Sequence, residues 1–504
     1  MTTEIDPDSA PTWVDDGDEL AEGAFKSGAR WMAAGQLTLY LTRLVVTIVL
    51  ARLILPEDRG LFATALVVTD LLERVVAASP GAALIQVRAL TDRLASSVFY
   101  FNVLIGLAIA AVLAVGAPVV APVLNNTEVV PVLRGVGLAF LALSLGQAQR
   151  ALLRRSFRFA AVAVSDVANA VIQSVVSIVL AYKGWGVWAL VWGLLAGKVA
   201  ANIVLWAASP WRPSWHFSWS EVRSLRRFSG NLSAHSFFTY FSEAGDKFIV
   251  ARISDVALGY YMIGYQLLLH PVSAVLSVSC NVLFPAFSRI QNDDEAIARG
   301  YVRACAPAAV LLFPIALGLA VVAGPFVRVV LGERWLPATT VLALFGPIAI
   351  VQAVTTTTSV LYQSKGRTDL QLRWGLPYGL LMLASYVIGS NWGAEGVAWG
   401  YLIGSTVLAV PGLLIPFRLV GLRLSTFLAS FAPMALASVV MAAAVFACRR
   451  ALEALDAGPE AVLFGSVAVG VVVYGALLLL LRPAAAVDLL SLAKLRRKEP
   501  APAA

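Results

Sequence analysis

The chain has 504 residues, of which 59% are hydrophobic and 13% charged, with a formal net charge of +8. A soluble domain carries about 25% charged residues, so this composition excludes a chain that folds in water. Three cysteines without ligand spacing, and no nucleotide-binding loop, argue against a disulfide framework, a metal site, a cofactor or nucleotide-driven transport.

Residues 1–24 are acidic and polar, the reverse of a basic signal-peptide start, and read as a disordered cytoplasmic tail. Fourteen apolar segments follow, at about 31–54, 61–80, 97–123, 132–152, 160–182, 185–208, 229–251, 258–285, 302–323, 337–362, 373–390, 393–416, 426–448 and 460–481. Most approach the roughly 20 residues that cross a hydrocarbon core about 30 Å thick. They predict an all-α polytopic membrane protein with no extramembrane domain. Its expected parts are a six-helix lobe at 25–208, a linker at 209–228 and a second six-helix lobe at 229–418. Two additional helices lie within 419–482, and a basic cytoplasmic tail spans 483–504. In the linker, "SPWRPSWHFSWSEVRSLRRF" interleaves Trp and Arg as an amphipathic segment on the inner leaflet does.

With both termini in the cytoplasm, inner loops and tails hold 25 of the 38 basic residues, the outer side nine, and the spans four. This is the positive-inside bias, and it spreads the charge along membrane-facing loops rather than over one nucleic-acid-binding face.

The chain also repeats itself. "IVLARLILPEDRG" ends the first span and "FIVARISDVALG" the seventh, each running from Ala-Arg to a glycine. Upstream, Gln36, Tyr40, Arg43 and Thr47 match Ser236, Tyr240, Glu243 and Lys247, spaced to share one helix face. Gly186-Val187 and Gly396-Val397 provide a second match. A six-span unit is even, so both copies enter from the same side and their axis lies normal to the membrane.

Charges inside spans are costly, about 2.5–3.5 kcal/mol at the bilayer centre on insertion scales, and usually face a partner or a cavity. Here they comprise Arg43, Asp70, Glu73, Arg74, Asp166, Lys198, Glu243, Asp246 and Lys247. Asp70–Arg74 and Glu243–Lys247 are spaced to pair along one helix, which allows a purely structural reading. The unpaired Arg43 and Lys198 favour a water-filled central cavity instead. Arg43 and Glu243 hold equivalent positions and are expected to approach across the cleft. Other polar features, "QAVTTTTSVLYQ" and the histidines His235 and His270, are less specific. Pro271, Pro285, Pro307, Pro314, Pro347, Pro377 and Pro411 interrupt spans of the second half and allow kinks.

The first helix ending "LARLILPEDRGLFATA", the later "YYMIGYQLLLHPVSAVLSVSCNVLFPAFSRIQND" and the two-lobe plan resemble the Wzx-type polysaccharide transporters. These belong to the multidrug/oligosaccharidyl-lipid/polysaccharide exporter superfamily. The resemblance covers about residues 24–420. It implies a V-shaped pair of lobes, alternating access, and a lipid-linked oligosaccharide on an undecaprenyl-type diphosphate as cargo in a bacterial inner membrane. Arg43, Lys247, Arg52 and Arg252 are then expected to meet the diphosphate or an acidic sugar, Tyr40 and Tyr240 to stack on sugars, and Lys198 to line the cavity. Asp70, Arg74, Glu243 and Asp246 are the coupling or gating candidates, with a proton or sodium as the ion. Membrane lipids and a polysaccharide polymerase are the expected neighbours. A peptidoglycan-precursor flippase and an ion-coupled multidrug antiporter of the same superfamily are the alternatives. A glycan polymerase would need a large outer loop, which the sequence does not show.

Overall fold

The computed structural model describes residues 42–77, 84, 90–124, 126–156, 158–224 and 244–481. The described residues are almost entirely helical, as a backbone without water to bond to requires. Helical residues 42–53 lead through a two-residue break into α1 (Pro56–Ala77). Then follow α2 (Asp92–Val123), α3 (Val129–Arg155), α4 (Phe159–Tyr182), α5 (Val187–Ala208) and the short α6 (Trp219–Ser224). Helical residues 244–253 precede α7 (Asp255–Gly264), which runs through a π turn at Tyr265–Leu269 into α8 (His270–Arg289). After these come α9 (Asp294–Val321), α10 (Ala338–Thr355), α11 (Thr358–Ser364), α12 (Thr368–Ser390), α13 (Gly393–Arg418), α14 (Leu424–Ala454) and α15 (Pro459–Leu481).

Local sequence sets the ends. Thr91, Ser254 and Asp293 are N-caps whose side chains accept from Leu94, Ala257 and Ala296 amides at 3.2, 3.4 and 2.9 Å. The prolines of the second half do not end the helices that hold them. Pro285, Pro307, Pro314, Pro347, Pro377 and Pro411 all lie inside continuous helices, and Pro271 lies just past the π turn within the helical run 255–289.

Among the described residues ten helices are long and apolar enough to cross a membrane. Much of their apolar surface faces outward: Val115, Leu380, Val471 and Leu480 are exposed, as lipid contact requires. Fourteen spans were expected. Of the remaining four places, α1 and α12 are helical, and 31–54 and 229–251 are described only over 42–54 and 244–251. The 209–228 linker has no regular secondary structure over most of its described part and is helical only at α6, with Trp215 and Trp219 exposed.

Packing sorts the helices into two sets. In the first, α2 packs on α3, α4 on α5, and α3 on α5 and α1. In the second, α9 packs on α10 and α14, α12 on α13, α13 on α10 and α14 on α15. The sets meet chiefly where α1 lies against α7. The Gly-Val match holds to within one turn: Gly186 precedes α5, whereas Gly396 is already inside α13.

Candidate functional site

The junction between the sets is built from the two repeated stretches. Gly60 of α1 and Gly259 of α7, the glycines that close the two copies, lie against each other. A Cβ on Gly259 would come 2.6 Å from the Pro56 carbonyl oxygen and 3.1 Å from the Gly60 nitrogen, and one on Gly60 would overlap the Asp255 carbonyl. Only glycine allows two helix backbones this close.

Polar groups lock the same place. Asp255, in the first turn of α7, accepts hydrogen bonds from Thr64 of α1 and from the side-chain amide of Asn126. Arg59 is 8% exposed. Its guanidinium donates to Gln266 Oε1 at 2.7 Å and to the Thr47 carbonyl at 3.2 Å, and lies 5.7 Å from the ring of buried Trp335. Trp335 Nε1 donates to the Ala51 carbonyl at 2.7 Å. Arg52 Nε donates to the Val330 carbonyl at 2.9 Å, and Nη2 to that of Val329. These carbonyls belong to a second π turn, Val327–Leu331. A π turn lengthens the ladder from i→i+4 to i→i+5 and displaces backbone groups from the regular helical partners, which is why such turns often mark functional positions. Arg52 is thus engaged by a helix backbone in this conformation, and its repeat counterpart Arg252 is exposed.

Deeper along the same interface lie two basic side chains, Lys247 and Arg43. Lys247 Nζ sits 4.1 Å from the centre of the Tyr265 ring, a cation–π contact with an aromatic of the first π turn. The Tyr265 ring meets His270 edge-on at 5.3 Å, and His270 lies within electrostatic reach of both Lys247 and Arg43. Arg43 is exposed. Beside Lys247, Asp246 is 1% exposed. It accepts from the Tyr261 hydroxyl at 2.8 Å, while its second oxygen has no partner among the described residues.

Other expected residues divide as follows. Lys198 is not unpaired: its Nζ lies 2.8 Å from Glu73 Oε1, because α5 packs beside α1. Asp166 pairs with Arg150 at 2.7 Å. Asp70 is exposed, and the side chain of Arg74 lies outside the described residues. Tyr40, Tyr240, Glu243 and His235 also lie outside them, and with Glu243 goes the expected approach to Arg43. The half-buried Lys198–Glu73 pair sits between the about 0–1 kcal/mol of an exposed pair and the about 3–5 kcal/mol lost on breaking a buried one. Lys198→Met alone is expected to lower the melting temperature in detergent by a few degrees, and Lys198→Met with Glu73→Gln to recover most of it. Additive losses in that double variant would deny the pair a structural role.

Sequence reasoning missed Arg59, Asp255, Gln266 and Trp335. The signal for Asp255 was present: it follows the second Ala-Arg three residues on and precedes Gly259 by four, inside the repeat itself.

Comparison with known proteins agrees with this architecture. Residues 49–340 match the family described as "Polysaccharide biosynthesis protein". The chain is 26% identical to the lipopolysaccharide biosynthesis protein WzxC of Escherichia coli over 382 residues, 75% of this chain and 77% of that one. It is 25% identical to the teichuronic acid biosynthesis protein TuaB of Bacillus subtilis, covering 89% and 94%. It is 28% identical to the succinoglycan biosynthesis transport protein ExoT of Rhizobium meliloti, covering 94% and 96%. Among solved structures, the Lipid II flippase MurJ in an inward closed conformation superposes with a TM-score of 0.73 at 14% identity, over 88% of this chain and 97% of that one. At that identity the likeness is one of fold. A multi-span helical bundle whose two halves meet through a duplicated motif, matched by the family over more than half its length, is therefore a bacterial membrane protein of the polysaccharide biosynthesis protein family.

Proposed function

We propose that the protein is a flippase that carries a lipid-linked oligosaccharide, on an undecaprenyl-type diphosphate, from the inner to the outer leaflet of the cytoplasmic membrane by alternating access. The observation that carries this reading is the pair of basic side chains Arg43 and Lys247, both within electrostatic reach of His270 at the interface of the two helix sets, where a charge-bearing headgroup needs counter-charge. Relatives named for lipopolysaccharide, teichuronic acid and succinoglycan support a glycan cargo. The basic pair favours an anionic headgroup over the cationic drugs of an antiporter.

In this reading both termini are cytoplasmic, by the distribution of basic residues, and the α1–α7 junction is the outer gate, here closed. The two helix sets act as lobes that rock about the cargo site. Arg43 and Lys247 hold the diphosphate through charge-assisted contacts. Asp246, buried with one oxygen free of partners among the described residues, is the candidate for the coupling ion, a proton or sodium.

Each headgroup contact of this type contributes about 1.5–3 kcal/mol. Arg43→Gln and Lys247→Met are therefore each expected to weaken binding of decaprenyl diphosphate by about tenfold or more, measured by tryptophan fluorescence in nanodiscs. Unchanged affinity in both variants would remove this pair from the site.

A further inference from the structure

A cavity of about 290 Å³ lies within the second helix set, walled by α10, α11, α12 and α13, and neither Arg43 nor Lys247 lines it. That volume sits near the lower end of the about 300–1,000 Å³ typical of small-molecule sites. Its wall includes Gln352, Thr355, Ser359, Tyr362, Gln371 and Trp374, and no charged side chain is among the residues that line it. Two wall atoms are buried without a hydrogen-bond partner among the described residues: Oε1 of Gln352 and the hydroxyl of Tyr362, whose side chain is 3% exposed. Gln352 Nε2 donates to Ser273 Oγ at 2.9 Å, which fixes the amide and leaves its oxygen as a pure acceptor. The hydroxyls of Thr355 and Ser359 donate to the carbonyls of Val351 and Thr356 in their own chain, so both present lone pairs. Trp374 of α12 is half-buried and also lines the cavity.

Buried polar groups in native proteins are nearly always bonded, to protein, to water or to a ligand. An acyl chain would leave the Gln352 oxygen and Tyr362 hydroxyl unsatisfied, and a diphosphate would find no cation here. A pyranose ring offers hydroxyls that both donate and accept on its rim and a C–H face that packs on an indole. We propose that this cavity binds an uncharged pyranose unit of the cargo, apart from the two basic side chains that take the diphosphate. The assignment rests on the glycan-transport reading above.

The test uses the full chain in nanodiscs and two kinds of probe: decaprenyl diphosphate, and decaprenyl diphosphate bearing one glucose, galactose or mannose. At least one sugar is expected to tighten binding about tenfold, equivalent to about 1.4 kcal/mol. Trp374→Ala and Tyr362→Phe should each remove most of that gain and leave the sugar-free lipid unaffected. Tyr362→Phe should also keep or raise the melting temperature of the empty protein, because it deletes a buried hydroxyl that has no partner there. A gain that survives both variants, or no gain with any of the three sugars, overturns the saccharide site while the carrier reading stands on the sugar-free lipid. Failure of every probe to bind overturns both.

Discussion

Gly60→Val is expected to cut transport in proteoliposomes by more than tenfold while the protein still inserts and purifies. At Gly60 the obstacle is the backbone carbonyl of Asp255, and across the contact a side chain on Gly259 meets the Pro56 carbonyl. No flexible side chain can swing away from either, so the helices must separate. Overpacking of a tight contact costs about 1–3 kcal/mol, and here it also draws Asp255 away from Thr64 and Asn126. In the proposed cycle the closed gate becomes the disfavoured state, and transport that must pass through it slows. Gly259→Val should behave alike. Gly475→Val is the control, since a Cβ there meets nothing within 4 Å, and it should transport normally. If Gly60→Val transports as well as Gly475→Val, the junction does not have to close.

Asp255→Ala is expected to open the same gate electrostatically. Its carboxylate takes two hydrogen bonds from the opposite helix set, and bonds to a charged group contribute about 1.5–3 kcal/mol each. Losing both shifts the closed-to-open ratio by roughly two orders of magnitude or more. Spin labels at the exposed Glu128 and Glu333, one on each set, should then report a longer and broader distance by pulsed electron resonance in a cysteine-free background. Asp255→Asn keeps one acceptor and should fall between. An unchanged distance distribution in Asp255→Ala would show that glycine packing alone holds the junction.

Most of the helices were legible in the sequence because most apolar runs approach the length of a span, and lipid leaves the backbone no alternative. The repeat was legible too: Arg52, Gly60 and Gly259 all lie at the junction of the two sets. What the repeat did not reveal was the use of its residues. Arg52 donates to carbonyls of a π turn in this conformation, and π turns leave no mark in hydrophobic periodicity. Lys198 looked unpaired because Glu73 lies 125 positions away, a contact that tertiary packing alone creates. Arg59 and Gln266 escaped notice for the same reason: each sits among ordinary loop-end or helix residues, and only the meeting of α1 with the first π turn joins them. The polar cavity of the second set was half visible in "QAVTTTTSVLYQ", whose hydroxyls bond their own helix as well as lining the wall.

The most direct measurement is mass spectrometry of membrane lipids from cells depleted of this protein, combined with outer-face labelling of glycans. The proposed function predicts that a diphosphate-linked oligosaccharide accumulates and stays unlabelled, trapped on the inner face. A lipid-linked glycan pool unchanged in size and sidedness would contradict it.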